Sequence, residues 1–146
     1  MSRASGWLRV AESDAPNKKS PMANDATAID LAMFERLGAR VRHFDAGEKV
    51  FLAEDTAAIM YVVRSGRIDV VTYGTVLENV RAGGMVGEMA LIDDCPRSAA
   101  AIAAEATEAY AIDKALFRTL IRDDPDFAFA VMRQLAARIR RMNDQL

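Results

Sequence analysis

Between two runs of β-branched residues lies a segment whose residue types suit chemistry. It reads Gly83-Gly84-Met85-Val86-Gly87-Glu88-Met89-Ala90-Leu91-Ile92, then Asp93-Asp94-Cys95-Pro96-Arg97-Ser98-Ala99-Ala100. Gly87 lets backbone approach a ligand closely, and Glu88 to Ile92 is a helix-forming turn whose unsatisfied N–H groups can face an anion. Arg97 follows the proline-stiffened turn at Pro96, where a fixed guanidinium suits paired hydrogen bonds to phosphate oxygens, and Ser98 adds a hydroxyl beside it. Glu88 is harder to place, because a carboxylate next to a phosphate repels the ligand unless it accepts from a donor such as a ribose hydroxyl. Together these residues ask for a phosphorylated sugar. Taken singly they say less: Arg97 alone fits a surface ion pair with Asp93 or Asp94, and Glu88 alone fits a helix-start carboxylate favoured by the macrodipole. The bland account of the whole segment is a structural loop that keeps its shape without binding anything.

The elements around this segment follow from periodicity. Asp25 or Thr27 is placed to cap a short helix whose apolar stripe is Ile29, Leu31, Met33, Phe34 and Leu37, ending at Gly38. From Val41 to Asp113 short β-branched or aromatic runs alternate with turns: Val41 to Phe44, Lys49 to Leu52, Ile59 to Ser65, Arg67 to Tyr73, Thr75 to Arg81, Ser98 to Ala103 and Thr107 to Ile112. Short strands with no long helix between them imply antiparallel pairing in a small barrel or jelly roll rather than a doubly wound sheet. After Asp113 the period becomes helical: Leu116, Phe117, Leu120 and Ile121 form one face, and Asp123-Asp124-Pro125 interrupts it. A last helix carries the row Phe127, Val131, Leu135, Ile139, Met142 and Leu146, with Arg133, Arg138, Arg140 and Arg141 outside it on a solvated face. The expected fold is therefore α+β, an antiparallel β jelly-roll barrel (double-stranded β-helix) with a short N-terminal helix and two C-terminal helices. Residues 1–24, polar and without period, read as a disordered tail, and residues 25–146 as one domain. Trp7, Leu8 and Val10 in the tail offer a partner-binding segment, although a lone aromatic there is more often incidental.

Composition narrows the function classes. The chain has 146 residues, 51% of them apolar, with a formal charge of −2, which disfavours a generally nucleic-acid-coating protein. One cysteine, Cys95, and one histidine, His43, preclude an intramolecular disulfide or a single-chain Cys/His zinc site, which fits a reducing, cytoplasmic setting. No apolar run approaches the roughly 20 residues that cross a bilayer, so no membrane association is expected. His43 reads as solvated or capping, and Cys95 as a passive loop thiol beside Arg97 rather than a redox switch. Gly83, Gly84 and Gly87 do not make a dinucleotide fingerprint, since the spacing is wrong and no βαβ unit surrounds them.

At Gly87-Glu88-Met89-Ala90-Leu91 and Pro96-Arg97-Ser98-Ala99 the chain resembles the cyclic-nucleotide-binding domain family, which includes catabolite activators, protein kinase regulatory subunits and cyclic-nucleotide-gated channels. The stretches Ala46 to Phe51 and Tyr61 to Val70 also look like that family's barrel, and the likeness runs from about Ile29 to the C-terminus. The resemblance implies a ligand set of Gly87, Glu88, Met89, Ala90, Arg97, Ser98 and Ala99. Glu88 would accept the ribose 2′-OH, Arg97 would neutralise the cyclic phosphate, and amides at Ala90, Ser98 or Ala99, with the Ser98 hydroxyl, would complete the cradle. The sequence departs from the pattern where Val86 replaces the usual Phe, where Glu54 beside Asp55 replaces a common glycine, and where Asp93 and Asp94, expected to face water, add charge to the loop.

What the resemblance implies is a cytoplasmic sensor of 3′,5′-cyclic AMP, with cyclic GMP as the lesser candidate, signalling through the C-terminal helices. Gln134, Arg138 and Asn143 are possible base neighbours. The long row on the last helix further suggests a homodimer or a partner protein. The alternative is a nucleotide-independent interaction module on the same fold. Sequence-specific DNA binding is not expected, because no helix-turn-helix follows the last helix within the chain. An enzyme is the weakest class, since no metal cluster, nucleophile-base pair or carboxylate dyad is visible.

Overall fold

The computed structural model describes residues 28–53, 58–93, 97 and 99–144. The whole tail of residues 1–24, with its Trp7 segment, lies outside them, as do Asp25, Thr27, Glu54, Asp55, Asp94, Cys95, Pro96, Ser98 and Leu146.

The first helix, α1 (Leu31–Leu37), is capped by Asp30, whose side chain accepts from Ala32 N at 3.0 Å, so the cap falls later than Asp25 or Thr27. Gly38 closes it as expected. Among the described residues eight strands follow: β1 (Val41–Phe44), β2 (Lys49–Phe51), β3 (Ile59–Ser65), β4 (Ile68–Thr72), β5 (Thr75–Val80), β6 (Met85–Val86), β7 (Ala100–Ala103) and β8 (Thr107–Asp113). Helix α2 (Met89–Asp93) sits between β6 and β7, and α3 (Lys114–Asp123) and α4 (Pro125–Asp144) end the described chain. Strand β6 has no counterpart in the sequence reading, because two residues are too few to show a period.

The strands form two four-stranded sheets in the orders β1-β8-β3-β6 and β2-β7-β4-β5, and every pairing is antiparallel. Strand β3 explains its own sequence. Tyr61 and Val63 join Ile68, Val80, Ala101 and Ala103 in the core shared by the two sheets, while Met60 and Val62 join the core beneath the helices. A strand buried on both faces has no polar face to alternate with, so Ile59 to Val63 reads as one apolar run. Strands β4 and β5 meet in a tight turn at Tyr73-Gly74, both with positive φ, which matches the twist of a two-residue hairpin.

Helix packing corrects the expected rows. On α3, Phe117 and Leu120 are buried but Ile121 is partly exposed, at 39%. On α4 the buried face is Phe127, Ala130, Val131 and Gln134, while Ile139 and Met142 face out along with Phe129 and Met132. The cause is geometric: each i+4 step overshoots a helical turn by about 40°, so a row built on successive fours rotates away from the core. Steps of four, three and four, from Phe127 to Val131, Gln134 and Arg138, keep a line.

Phe34, with no exposed surface, stacks on Tyr110 at 5.1 Å and meets Phe127 edge-on at 6.1 Å, joining α1 to β8 and α4. Replacing it by alanine is expected to cost about 3–5 kcal/mol, read as a fall in the urea midpoint at unchanged slope. A loss below 1 kcal/mol would mean that α1 is not part of the cooperative unit.

Candidate functional site

Strand β6 delivers the chain to Gly87, whose φ of +82° an L side chain rarely adopts. The carbonyl of the next residue, Glu88, accepts from Leu91 N and Ile92 N at 3.0 and 3.1 Å, which starts α2. Arg97 returns to this turn. Its Nη1 donates to Gly87 O at 2.6 Å, its Nη2 donates to Ile59 O at 2.5 Å, and its Cζ lies 4.1 Å from the centroid of the Phe51 ring. A Cβ on Gly87 would come within 2.6 Å of Arg97 Nη1 and 3.0 Å of Ile59 O, so close approach as well as backbone conformation demands glycine here. Arg97 is 5% exposed, which corrects its expected surface placement: carbonyls and a ring draw its guanidinium inside. Sequence reasoning missed Phe51 and the Ile59 carbonyl. Both are far upstream, and neither a lone phenylalanine nor a main-chain oxygen leaves a motif.

Glu88 is 2% exposed, and a buried carboxylate is costly unless a cation and further donors compensate it. Arg138 of α4 supplies the cation, with Nη1 2.5 Å from Glu88 Oε2. The same guanidinium donates through Nη2 to Met85 O and lies, through Nε, 2.9 Å from Oε1 of Glu78 on β5. Arg141 adds a second contact to Glu78, at 2.7 Å from Oε2. Arg138 therefore does not belong to a solvated face: it is the link between the turn, β5 and α4. Gln134 reinforces the link, since its Oε1 accepts from Met85 N at 3.1 Å and its Nε2 donates to Gly83 O at 2.8 Å. Of the three candidate base neighbours, Gln134 is thus committed to main chain and Asn143 is exposed. Glu88 Oε1 is buried with no hydrogen-bond partner among the described residues.

The fold brings Gly87 and Arg97 into direct contact and turns the adjacent Glu88 toward α4. Ala90 is buried on α2, Met89 and Asp93 are exposed, and Ala99 is half-buried beside the start of β7. Ser98 and Cys95 lie outside the described residues. His43 lies on β1, with Nδ1 3.2 Å from Glu108 Oε2. Among the described residues no cluster of His, Cys, Asp or Glu is arranged to hold a metal ion, and no helix is long and apolar enough to cross a membrane.

Two antiparallel sheets flanked by helices thus carry a glycine-acid turn closed by a buried arginine. The chain belongs to the cyclic nucleotide-binding domain family, whose model matches residues 41–124, more than half of its length. It is 29% identical over 130 residues to the cyclic AMP receptor protein of Thermus thermophilus, covering 86% of this chain and 58% of that one. The crystal structure of the Thermus thermophilus catabolite activator protein superposes with a TM-score of 0.66 at 28% identity, with the same coverage of 86% and 58%. A cAMP-dependent protein kinase regulatory subunit of Yarrowia lipolytica is 29% identical over 79 residues, which is 54% of this chain and 21% of that one. A structure from a cyclic-GMP-dependent bacterial signalling pathway matches with a TM-score of 0.65 at 26% identity, covering 78% of this chain and 97% of that one. The chain spans between about a fifth and three fifths of these two curated relatives.

The ion pair can be tested without any ligand. Arg138→Met leaves the Glu88 carboxylate buried without its cation and is expected to cost about 3 kcal/mol in urea unfolding, whereas Glu88→Gln/Arg138→Met recovers much of that loss. Equal losses in the single and double variants would mean that the pair does not compensate the buried charge.

Proposed function

We propose that this domain is a non-enzymatic sensor of a 3′,5′-cyclic nucleotide, cyclic AMP before cyclic GMP, that signals through α4. The observation that carries the reading is Glu88: a carboxylate 2% exposed, with Oε1 lacking a hydrogen-bond partner among the described residues, next to the turn that Arg97 closes. An unsatisfied buried acceptor costs free energy that a ligand donor removes on binding, and a ribose 2′-OH is such a donor. A cyclic phosphodiester carries one negative charge, which one arginine balances. Gly87, Glu88, Met89, Ala90, Arg97, Ser98 and Ala99 are proposed as the ligand-facing segment. The named relatives, a cyclic AMP receptor protein and a cAMP-dependent kinase regulatory subunit, support the adenine nucleotide, and the structure from the cyclic-GMP pathway keeps the guanine nucleotide as the second test.

The same reading includes three further proposals: the two sheets form the family's jelly roll, the binding unit runs from residue 25 to residue 146, and α4 pairs with a second copy or a partner. Phe129, Met132, Ile139 and Met142, each about half-exposed or more, support the last of these.

Titration calorimetry with both nucleotides is expected to give saturable binding, tighter for cyclic AMP, and Arg97→Lys is expected to weaken it by about a hundredfold through loss of paired charged hydrogen bonds. Absence of heat with both nucleotides at millimolar ligand would leave the nucleotide-independent interaction module as the reading. Sedimentation over a hundredfold range of concentration is expected to show self-association that Ile139→Glu weakens, and a concentration-independent monomer would remove the pairing proposal.

A further inference from the structure

Two kinds of contact that hold Arg97 differ in what they fix. Hydrogen bonds to Gly87 O and Ile59 O pin the edge of its guanidinium, and the ring of Phe51 lies under the group at 4.1 Å. A guanidinium is planar, so bonds along one edge fix its position and leave rotation about that edge soft. A contact on the face removes that freedom. Half-buried beside Arg97, the ring also attracts the cation through its face and so aligns the group.

The fold places Phe51 for this task. It ends β2, which pairs with β7 so that Phe51 stands opposite Ala101, and Arg97 lies just before β7 begins. The register shift between Lys49 and Phe51 locally breaks the regular alternation of that short strand.

We propose that Phe51 is a positioning residue for the phosphate-binding arginine: its ring sets the plane in which Arg97 offers its N–H groups to the ligand. The inference rests on the cyclic-nucleotide reading for its effect on affinity, and its geometric half stands without ligand. Phe51→Leu is expected to weaken cyclic AMP binding about tenfold, Phe51→Tyr to stay within about twofold of the wild type, and the Leu substitution to cost less than twofold in an Arg97→Lys background, because an ammonium has no plane to align. An equal penalty in both backgrounds, or wild-type affinity for Phe51→Leu, overturns the proposal.

The ligand-free protein supplies the second readout. The Arg97 Nε–H proton resonance, assigned by its loss in Arg97→Lys, is expected to be displaced by the aromatic ring current in the wild type and in Phe51→Tyr, and to return toward the ordinary arginine position in Phe51→Leu. A resonance that does not respond to Phe51→Leu overturns the stack. If the wild type binds neither nucleotide while the resonance is ring-shifted, the sensor reading fails and the positioning role of Phe51 in holding Arg97 is upheld.

Discussion

Placing the carboxylate of Glu88 in the interior is the constraint on which the rest of the site depends. A carboxylate removed from water loses several kcal/mol of solvation, and a neighbouring cation restores that only at hydrogen-bond distance. The cation comes from Arg138, fifty residues later in the chain, so the turn at Gly87 is complete only when α4 lies against it. Glu78 on β5 holds the other side of the same guanidinium, and Gln134 ties the same helix to Gly83 and Met85. The acid turn, the β5 edge and α4 are therefore one electrostatic unit rather than three neighbouring pieces.

The two polar ends of the site are built differently. Arg97 rests on a carbonyl at the start of β3, a ring at the end of β2 and the carbonyl of Gly87 just past β6. The first two supports belong to the sheets, whose main-chain pairing makes them stiff. Glu88 depends on a helix whose far half is exposed along Ile139 and Met142. Under the proposed function, a ligand that touches both ends reads the position of α4 directly, because its affinity differs between arrangements in which Arg138 does or does not reach Glu88. Such a difference in affinity is what a ligand needs in order to shift an equilibrium.

The chemistry of the glycine-acid turn also shows why small residues matter at its centre. Gly87 leaves room for Arg97 to come within 2.6 Å of its carbonyl, and a methyl group there would occupy the place of the guanidinium. Val86, smaller than the residue usual in the family, still reaches full burial, because it joins a core of Tyr61, Val63 and Ala109 that closes around it.

Much of the fold was legible in the residue order alone. Strands β1 and β3 were bounded by their own apolar runs and turn residues, α1 by Gly38, and α4 by Pro125, because these signals act over a few residues. Gly87, Glu88 and Arg97 were legible for the same reason: their spacing is a local pattern. Only the tertiary structure decided that Asp30 caps α1 and that Met85 and Val86 form a strand. It also decided that Arg138 belongs to Glu88 and Phe51 to Arg97. Local signals fix which backbone conformation a segment adopts, but a desolvated charge takes its partner from whatever the packing of distant elements brings within about 3 Å, and no spacing along the chain encodes that distance.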